Sequence, residues 1–227
     1  MRGMNIGFRI QPVLHRVDPA LVARAVAVPA SNLGDVMHKM QTMRGGFRSL
    51  GGLPGMAGPA FTVRARPGDN LMLHHATDLF EPGDIIVCDG GGELETALTG
   101  DLMMGHAVKR GLRGIVLDGA VRDAATLARM PLGVWARAVT ACGPTKEGPG
   151  EIGFALACGG LMVAPGDLIV ADADGVVVIP LEAAAHIVAA AEAHQAQEAA
   201  VMARIEAGGW DRPWVAAALR EKGCEGS

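Results

Sequence analysis

Two short runs, Gly100-Asp101 and Arg122-Asp123, hold residue types suited to a small anionic substrate. A glycine interrupts an apolar-periodic segment at position 100, so a fresh helix can open there. The first amides of such a helix lack internal acceptors and form an anion cradle. The Arg122 guanidinium can clamp an oxyanion, and the carboxylates of Asp101 and Asp123 can hold a hard divalent cation. The competing reading of Arg122-Asp123 is a helix N-cap beside a surface arginine. A third carboxylate, Glu198, lies where an acid is out of place. Ile187, Ala191, His194, Val201, Met202 and Ile205 share one face of a long C-terminal helix, and Glu198 falls within that stripe. It needs a cation, a metal or a donor, from this chain or from a subunit on which the helix packs; the alternative is a partly exposed stripe.

The elements that must position these groups alternate between helix and strand. A helix over 102–108 is ended by Gly111 and Gly114, and the β-branched run 115–117 reads as a buried strand. Asp118-Gly119 is expected to turn the chain. Upstream, Asp18-Pro19 reads as N-cap and first residue of a helix over 20–28, and Ser31 is expected to cap a second helix reaching about Met43. The glycine-rich stretch 44–59 suggests a mobile loop near a site or a subunit contact. A strand over 57–65, a turn at Pro67-Gly68-Asp69-Asn70, a helix ending near Phe80, a strand after Pro82-Gly83 and a helix over 93–99 follow. Beyond Asp123 come a helix to about Arg129, a strand over 133–138 and an irregular segment, 139–151. The stretch 152–180 is β-rich, with Asp172 and Asp174 flanking a hairpin to Gly175. Pro-Gly-Asp precedes a strand at both 82–84 and 165–167, which turn chemistry explains without a repeat. Helices over 181–207 and 213–222 close the chain. The pattern suggests one domain spanning 1–227, a layered α/β sandwich with its core at about 30–180 and a helical extension over 181–222.

Composition removes several classes. Apolar residues make up 50% and aromatic residues 4%, so the core is aliphatic. A net charge of −4 without a basic block argues against a nucleic-acid surface. The N-terminus lacks a signal-like apolar stretch and no uncharged run is long enough to span a membrane, so a cytoplasmic protein is the expectation. Cys88, Cys142, Cys158 and Cys224 form no C-x-x-C pair, and Cys88 and Cys158 read as buried thiols. His74-His75 is not a metal-ligand spacing, and neither a dinucleotide fingerprint nor a P-loop is present.

The series AGPAFTV, GDN, PGDIIVCDGGG, GDLMMGHAVKRGLRGIVLDGAVRD and CGGLMVAPGDLIVADADGVVVIP, then a helix carrying Glu198 ahead of I-x-x-G, resembles the 4-hydroxy-4-methyl-2-oxoglutarate/4-carboxy-4-hydroxy-2-oxoadipate aldolases. These share a superfamily with the regulator of ribonuclease activity A. The likeness covers roughly residues 30–208, and G-x-V-x-D-G-x-x-R-D is its most specific part. It implies an α/β/β/α sandwich assembled as a homotrimer or homohexamer, with the long helix on a neighbouring subunit and sites between subunits. It also implies a class II pyruvate aldolase using Mg²⁺ or Mn²⁺, with oxaloacetate decarboxylation as a side or main activity. By position, Asp123 binds the metal directly, while Asp101 and a neighbour's Glu198 act through water. Arg122 faces the 2-oxo oxygen, and Gly100 to Met103 bind the pyruvyl carboxylate. The regulatory branch, which binds a ribonuclease without turnover, differs in having Gln at the position of Asp123 and in ending near the position of Pro180.

The residues agree with metal chemistry. Cleaving C3–C4 of a 4-hydroxy-2-oxo acid leaves an enolate that needs a Schiff base or a Lewis acid. The four lysines, Lys39, Lys109, Lys146 and Lys222, all lie outside strand patterns, and the chain has no tyrosine to donate a proton. A carboxylate-held or metal-bound water is the expected base for the C4 hydroxyl. Arg44, Arg48 and Lys146 are candidates for a distal carboxylate.

Overall fold

A computed structural model of the chain describes residues 5–224. In chain order it contains β1 (Phe8–Ile10), α1 (Pro19–Ala25), α2 (Ala30–Val36), β2 (Arg48–Ser49), β3 (Met56–Ala65), α3 (Leu71–Ala76), β4 (Ile85–Thr99), α4 (Asp101–Lys109), β5 (Gly114–Val121), α5 (Ala124–Leu127) and β6 (Gly133–Val139). There follow β7 (Gly150–Ile152), β8 (Leu156–Cys158), β9 (Leu161–Val163), β10 (Leu168–Asp172), β11 (Gly175–Ile179), a 3₁₀ turn at Leu181–Ala183, α6 (Ala184–Glu206) and α7 (Pro213–Glu221).

Strand β3 joins two sheets. Met56 to Pro59 pair antiparallel with β10, while Ala60 to Arg64 pair parallel with β4. The main sheet runs β1-β7-β3-β4-β5-β6-β2, and the second carries the β10–β11 hairpin. Two-residue periodicity then sorts the core into three layers. Ile86, Cys88, Leu117 and Val134 face Leu73, Met104 and Leu127 of α3, α4 and α5. From the other face of those strands, Ile85, Val87, Val116 and Trp135 meet Ile169, Ala171, Val176 and Val178. The outer face of the hairpin, Leu168, Val170, Val177 and Ile179, meets Leu33 of α2 and Val188 of α6. The result is the expected α/β/β/α sandwich.

Several local expectations need correction. Residues 93–99 form the end of β4, not a helix: Glu93, Ala97 and Thr99 pair with Gly119, Ala120 and Val121 across three register shifts. A helix of seven residues is marginal alone, and an unpaired edge on β5 would cost more than the helix gains. For the same reason Asp118-Gly119 does not turn the chain but continues β5 to Val121. Ser31 does not cap α2. The cap position is Pro29, and the first amide, Ala30 N, donates to Asp172 Oδ2 at 2.8 Å. That helix stops at Val36 because His38 and Lys39 adopt φ of 55° and 64°, well short of Met43. Helix α3 ends at Ala76, short of Phe80, and α5 ends at Leu127, short of Arg129. The stretch 44–59 is not free: Arg48 and Ser49 pair with Ala136 and Trp135, and Gly51 and Gly52 lie too close to the 130–134 backbone to carry a side chain.

Other expectations hold. Asp18 caps α1 through Ala20 N at 2.7 Å, with Pro19 leading the helix. Asp172 makes the β10–β11 turn by accepting from Asp174 N at 2.9 Å. Cys88 and Cys158 are buried and free, and burial pushes both thiols far above their ordinary range, so they are inert packing groups. Helix α6 buries Ala184, Val188 and Ala191, then projects: Met202, Trp210 and Trp214 stand 53%, 50% and 67% exposed. Among the described residues, no helix is long and apolar enough to cross a membrane.

Candidate active site

The C-terminal end of β5 and the start of α4 meet at Gly100. Arg122 N donates to Thr99 O at 2.9 Å, which fixes the end of β5 against the entry to the helix. Asn70 Nδ2 donates to Leu98 O at 2.8 Å and ties the start of α3 to the end of β4. Leu102 and Met103 are the second and third residues of α4 and follow a strand, so their amides have no intrahelical acceptor and are left for an anion, reinforced by the helix dipole. Asp101 N, the first of the series, donates instead to Asp123 Oδ2 at 3.1 Å.

Asp123 takes an unusual backbone conformation, φ 56° and ψ 35°, which a non-glycine residue adopts at some cost. Its side chain is 35% exposed, and Arg122 Nε lies 3.4 Å from Oδ2. Gly100 is extended, with φ −158°, so its need for glycine is steric. A Cβ there would overlap Asp123 Oδ2 and come within 2.8 Å of Arg122 Cγ. The guanidinium lies between two glycines, since a Cβ on Gly143 would also approach Arg122 Nη1 to 3.2 Å. An accessible carboxylate held by a single amide, in a cradle kept open by a missing Cβ, fits a hard divalent ion bound through oxygen. Gly100→Ala is expected to displace that carboxylate and lower turnover by about a hundred-fold, with weaker metal affinity, measurable by titrating Mg²⁺ into activity assays. Turnover and Mg²⁺ affinity within twofold of wild type would contradict it.

Arg122 separates two depressions. One, about 290 Å³, is bounded by Arg122, Asp123, Val139, Thr140 and Ala141. The other, about 250 Å³, holds Leu102 and Met103 and brings in Asn70, His74, Gly143 and Lys146. Of the three basic residues considered for a distal carboxylate, Lys146 lines this cavity, whereas Arg44 and Arg48 do not. Asn70 and His74 were not anticipated. Burial and the Lys146 ammonium push the His74 imidazole below its ordinary range, so it is neutral at pH 7.

Asp69 locks this wall together. Its carboxylate, 1% exposed, accepts from Glu147 N at 2.6 Å, Thr145 Oγ1 at 2.8 Å, Gly148 N at 2.9 Å and Leu71 N at 3.0 Å. Burial alone would raise its pKa, but these donors outweigh burial and hold the carboxyl below its usual range. A lowered pKa stabilises the fold in full above about pH 4, and that contribution is lost as the pH falls through the folded-state value. Asp69→Ala should cost about 3 kcal/mol in urea unfolding at pH 7 and flatten the acid side of the stability profile. An unchanged profile would refute the role.

Glu198 lies in a different layer. Its Oε2 accepts from Asn32 Nδ2 at 2.6 Å, Oε1 is 3.5 Å from His194 Nε2, and Asp35 completes the cluster between α2 and α6. The acid within the apolar stripe thus finds a donor and an imidazole in its own chain. No contact joins it to Asp101 or Asp123 within the chain.

Comparison with known proteins agrees with this frame. A family model described as RraA-like, Aldolase/RraA, matches residues 30–178. A Halalkalibacterium halodurans protein provisionally named 4-hydroxy-4-methyl-2-oxoglutarate aldolase is 35% identical over 173 residues, covering 76% of this chain and 82% of that protein. The RNA-processing inhibitor RraA of Thermus thermophilus superposes with a TM-score of 0.63 at 34% identity, over 67% of this chain and 92% of its own. RraAS2 of Streptomyces coelicolor, described as an unusual member of the RNase ES inhibitor RraA family, reaches 0.74 at 29% identity, over 81% and 96%. With residues 30–178 matched by the family model and a relative 35% identical over 76% of the chain, this chain belongs to the RraA-like family, Aldolase/RraA.

Proposed function

We propose that this chain is a divalent-metal-dependent pyruvate aldolase that cleaves 4-hydroxy-4-methyl-2-oxoglutarate or 4-carboxy-4-hydroxy-2-oxoadipate and also decarboxylates oxaloacetate. The observation that carries the reading is the pairing of Arg122 with Asp123 at the Gly100 cradle, beside two unengaged helix amides. Asp123 would hold Mg²⁺ or Mn²⁺ directly, with Asp101 and the Glu198 of a neighbouring subunit acting through water. When bound, the ion supplies Lewis acidity at the pyruvyl oxygens.

The protein's own groups then divide the work. The Leu102 and Met103 amides bind the pyruvyl carboxylate and fix its plane. In cleavage the C4 hydroxyl loses its proton, the C3–C4 bond breaks, C4 becomes a carbonyl carbon, and the bond's electron pair passes to the C3–C2–O enolate. Arg122 stands where that oxygen gains charge, and its guanidinium cannot give up its own proton at neutral pH. Protonation at C3 yields pyruvate. Oxaloacetate enters the same path by losing CO₂ in place of the second carbonyl product. Lys146, across the cavity, suits a distal carboxylate.

The exposed apolar side chains of Met202, Trp210 and Trp214 support packing of α6 and α7 on a second subunit, in a homotrimer or homohexamer. The test is a pyruvate-release assay over 4-hydroxy-2-oxo acids and oxaloacetate, with and without Mg²⁺, alongside light scattering for subunit number. Turnover that needs the ion supports the reading. Full turnover after chelation, or none on any 2-oxo acid, overturns it. The second reading, a non-catalytic ribonuclease regulator, draws on the likeness to the Thermus and Streptomyces proteins. It predicts capture of a ribonuclease with no 2-oxo acid turnover.

A further inference from the structure

We propose that Asn32 is a positioning residue: it holds the Glu198 carboxylate in the orientation in which that group serves the neighbouring subunit's site. The inference rests on the aldolase reading, in which Glu198 acts on an adjacent subunit, and adds the residue that aims it. Asn32 lies on the inner face of α2 beside Leu33 and Gly34 and is 4% exposed. Its Nδ2 donates to Glu198 Oε2 at 2.6 Å, a charge-assisted bond from a fixed amide to a long, mobile acid. Oε1 has the His194 imidazole at 3.5 Å, and Asp35 lies 3.9 Å from the same ring nitrogen. The Glu198 side chain is nevertheless 55% exposed, so a carboxylate tied down at one oxygen stays open to a group from outside its own chain.

Helix α6 does not need this bond to stay in place. Ala184, Val188 and Ala191 bury its first half, and Arg24 holds both oxygens of Glu192, at 2.6 and 2.9 Å. A buried amide directed at an exposed acid adds little to that hold, because it gives up its own hydration and restricts a flexible side chain. What it supplies is a fixed direction. The helix shows which way that is. Ala191, His194, Glu198, Met202 and Ile205 follow one another along one face. Ala191 is buried in its own chain, whereas Met202 and Ile205 are 53% and 36% exposed. Glu198 therefore stands where α6 passes from its own fold to the apolar surface left for a second subunit. A carboxylate that serves a metal site depends on an outer hydrogen-bond partner to orient it, and Asn32 is that partner.

The test compares assembled wild type, Asn32→Ala, Asn32→Asp, Glu198→Gln and the Asn32→Ala/Glu198→Gln double variant. Asn32→Ala should lower kcat/KM for pyruvate release by about ten- to a hundred-fold and weaken Mg²⁺ binding in isothermal titration by about tenfold. Asn32→Asp keeps the shape but sets a like charge against Glu198, so it should lose at least as much. The double variant should be no slower than Glu198→Gln alone, since nothing is left to position. Additive losses, wild-type turnover in Asn32→Asp, or wild-type turnover in Glu198→Gln would each overturn the inference. A second arm reads the direction of the effect. Asp123→Asn and Asn32→Ala subunits are co-expressed in equal amounts. Sites that take Asp123 from one variant and Glu198 from the other are intact, so about a quarter of wild-type activity should return. If Asn32 only holds α2 against α6 within its own subunit, every site that keeps Asp123 is impaired. Activity then stays at or below that of Asn32→Ala alone, which overturns the inference. Wild type without turnover on any 2-oxo acid removes the aldolase reading itself, an outcome distinct from an active enzyme indifferent to residue 32.

Discussion

Arg122→Ala lowers kcat for pyruvate release by about a hundred- to a thousand-fold, the range found when one preorganised donor to a developing oxyanion is removed. The loss should fall on kcat and kcat/KM together, because the guanidinium acts chiefly on charge that appears during bond cleavage. The fold should be untouched. The side chain is 43% exposed, and its charged partner among the described residues is Asp123, an ion pair of the kind that contributes little to stability. Arg122→Lys should recover only part of the rate. An ammonium supplies charge but not the planar pair of donors held between Gly100 and Gly143. A melting curve alongside steady-state kinetics separates these outcomes. Near-wild-type turnover in the alanine variant would remove Arg122 from the chemistry.

Asp123→Asn has an effect at least as large by a different route. Asparagine tolerates the left-handed conformation observed at position 123, so the backbone has no reason to change. The neutral amide is a far poorer ligand for a hard cation than a carboxylate. Activity is expected to fall by about a thousand-fold or more, with Mg²⁺ binding lost in isothermal titration while the melting temperature in chelator is unchanged. A variant that keeps both its Mg²⁺ affinity and its activity would mean that the ion is held elsewhere.

Half of the site could be read along the chain, because it lies within one βα unit. Gly100-Asp101 opens α4 and Arg122-Asp123 ends β5, both local consequences of glycine placement and apolar runs. The opposite wall could not be read that way. Asn70 caps α3 and His74 lies within it, while Lys146 sits in a loop far along the chain, and the two parts are brought together by the four donors converging on Asp69 from sites up to 79 residues away. The Gly68-Asp69-Asn70 triplet looked like turn chemistry and is that, but its aspartate also ties down the loop carrying Lys146. The same distance effect explains 93–99, where pairing with β5 prevails over a weak local helical preference, and Ser31, displaced as a cap by Asp172 from the distant hairpin. The layering was legible because alternating residues on β3 to β6, β10 and β11 feed three different apolar clusters.

The central claim is that a bound cation and the guanidinium at position 122 together hold the charge of a pyruvate enolate. Proton exchange at the methyl group of pyruvate, followed by NMR in deuterated water, isolates that enolate from C–C bond cleavage. The account predicts exchange that requires Mg²⁺ or Mn²⁺, stops on chelation, returns when the ion is restored, and is lost in Arg122→Ala. Exchange that continues undiminished in chelator, or in the alanine variant, would contradict it.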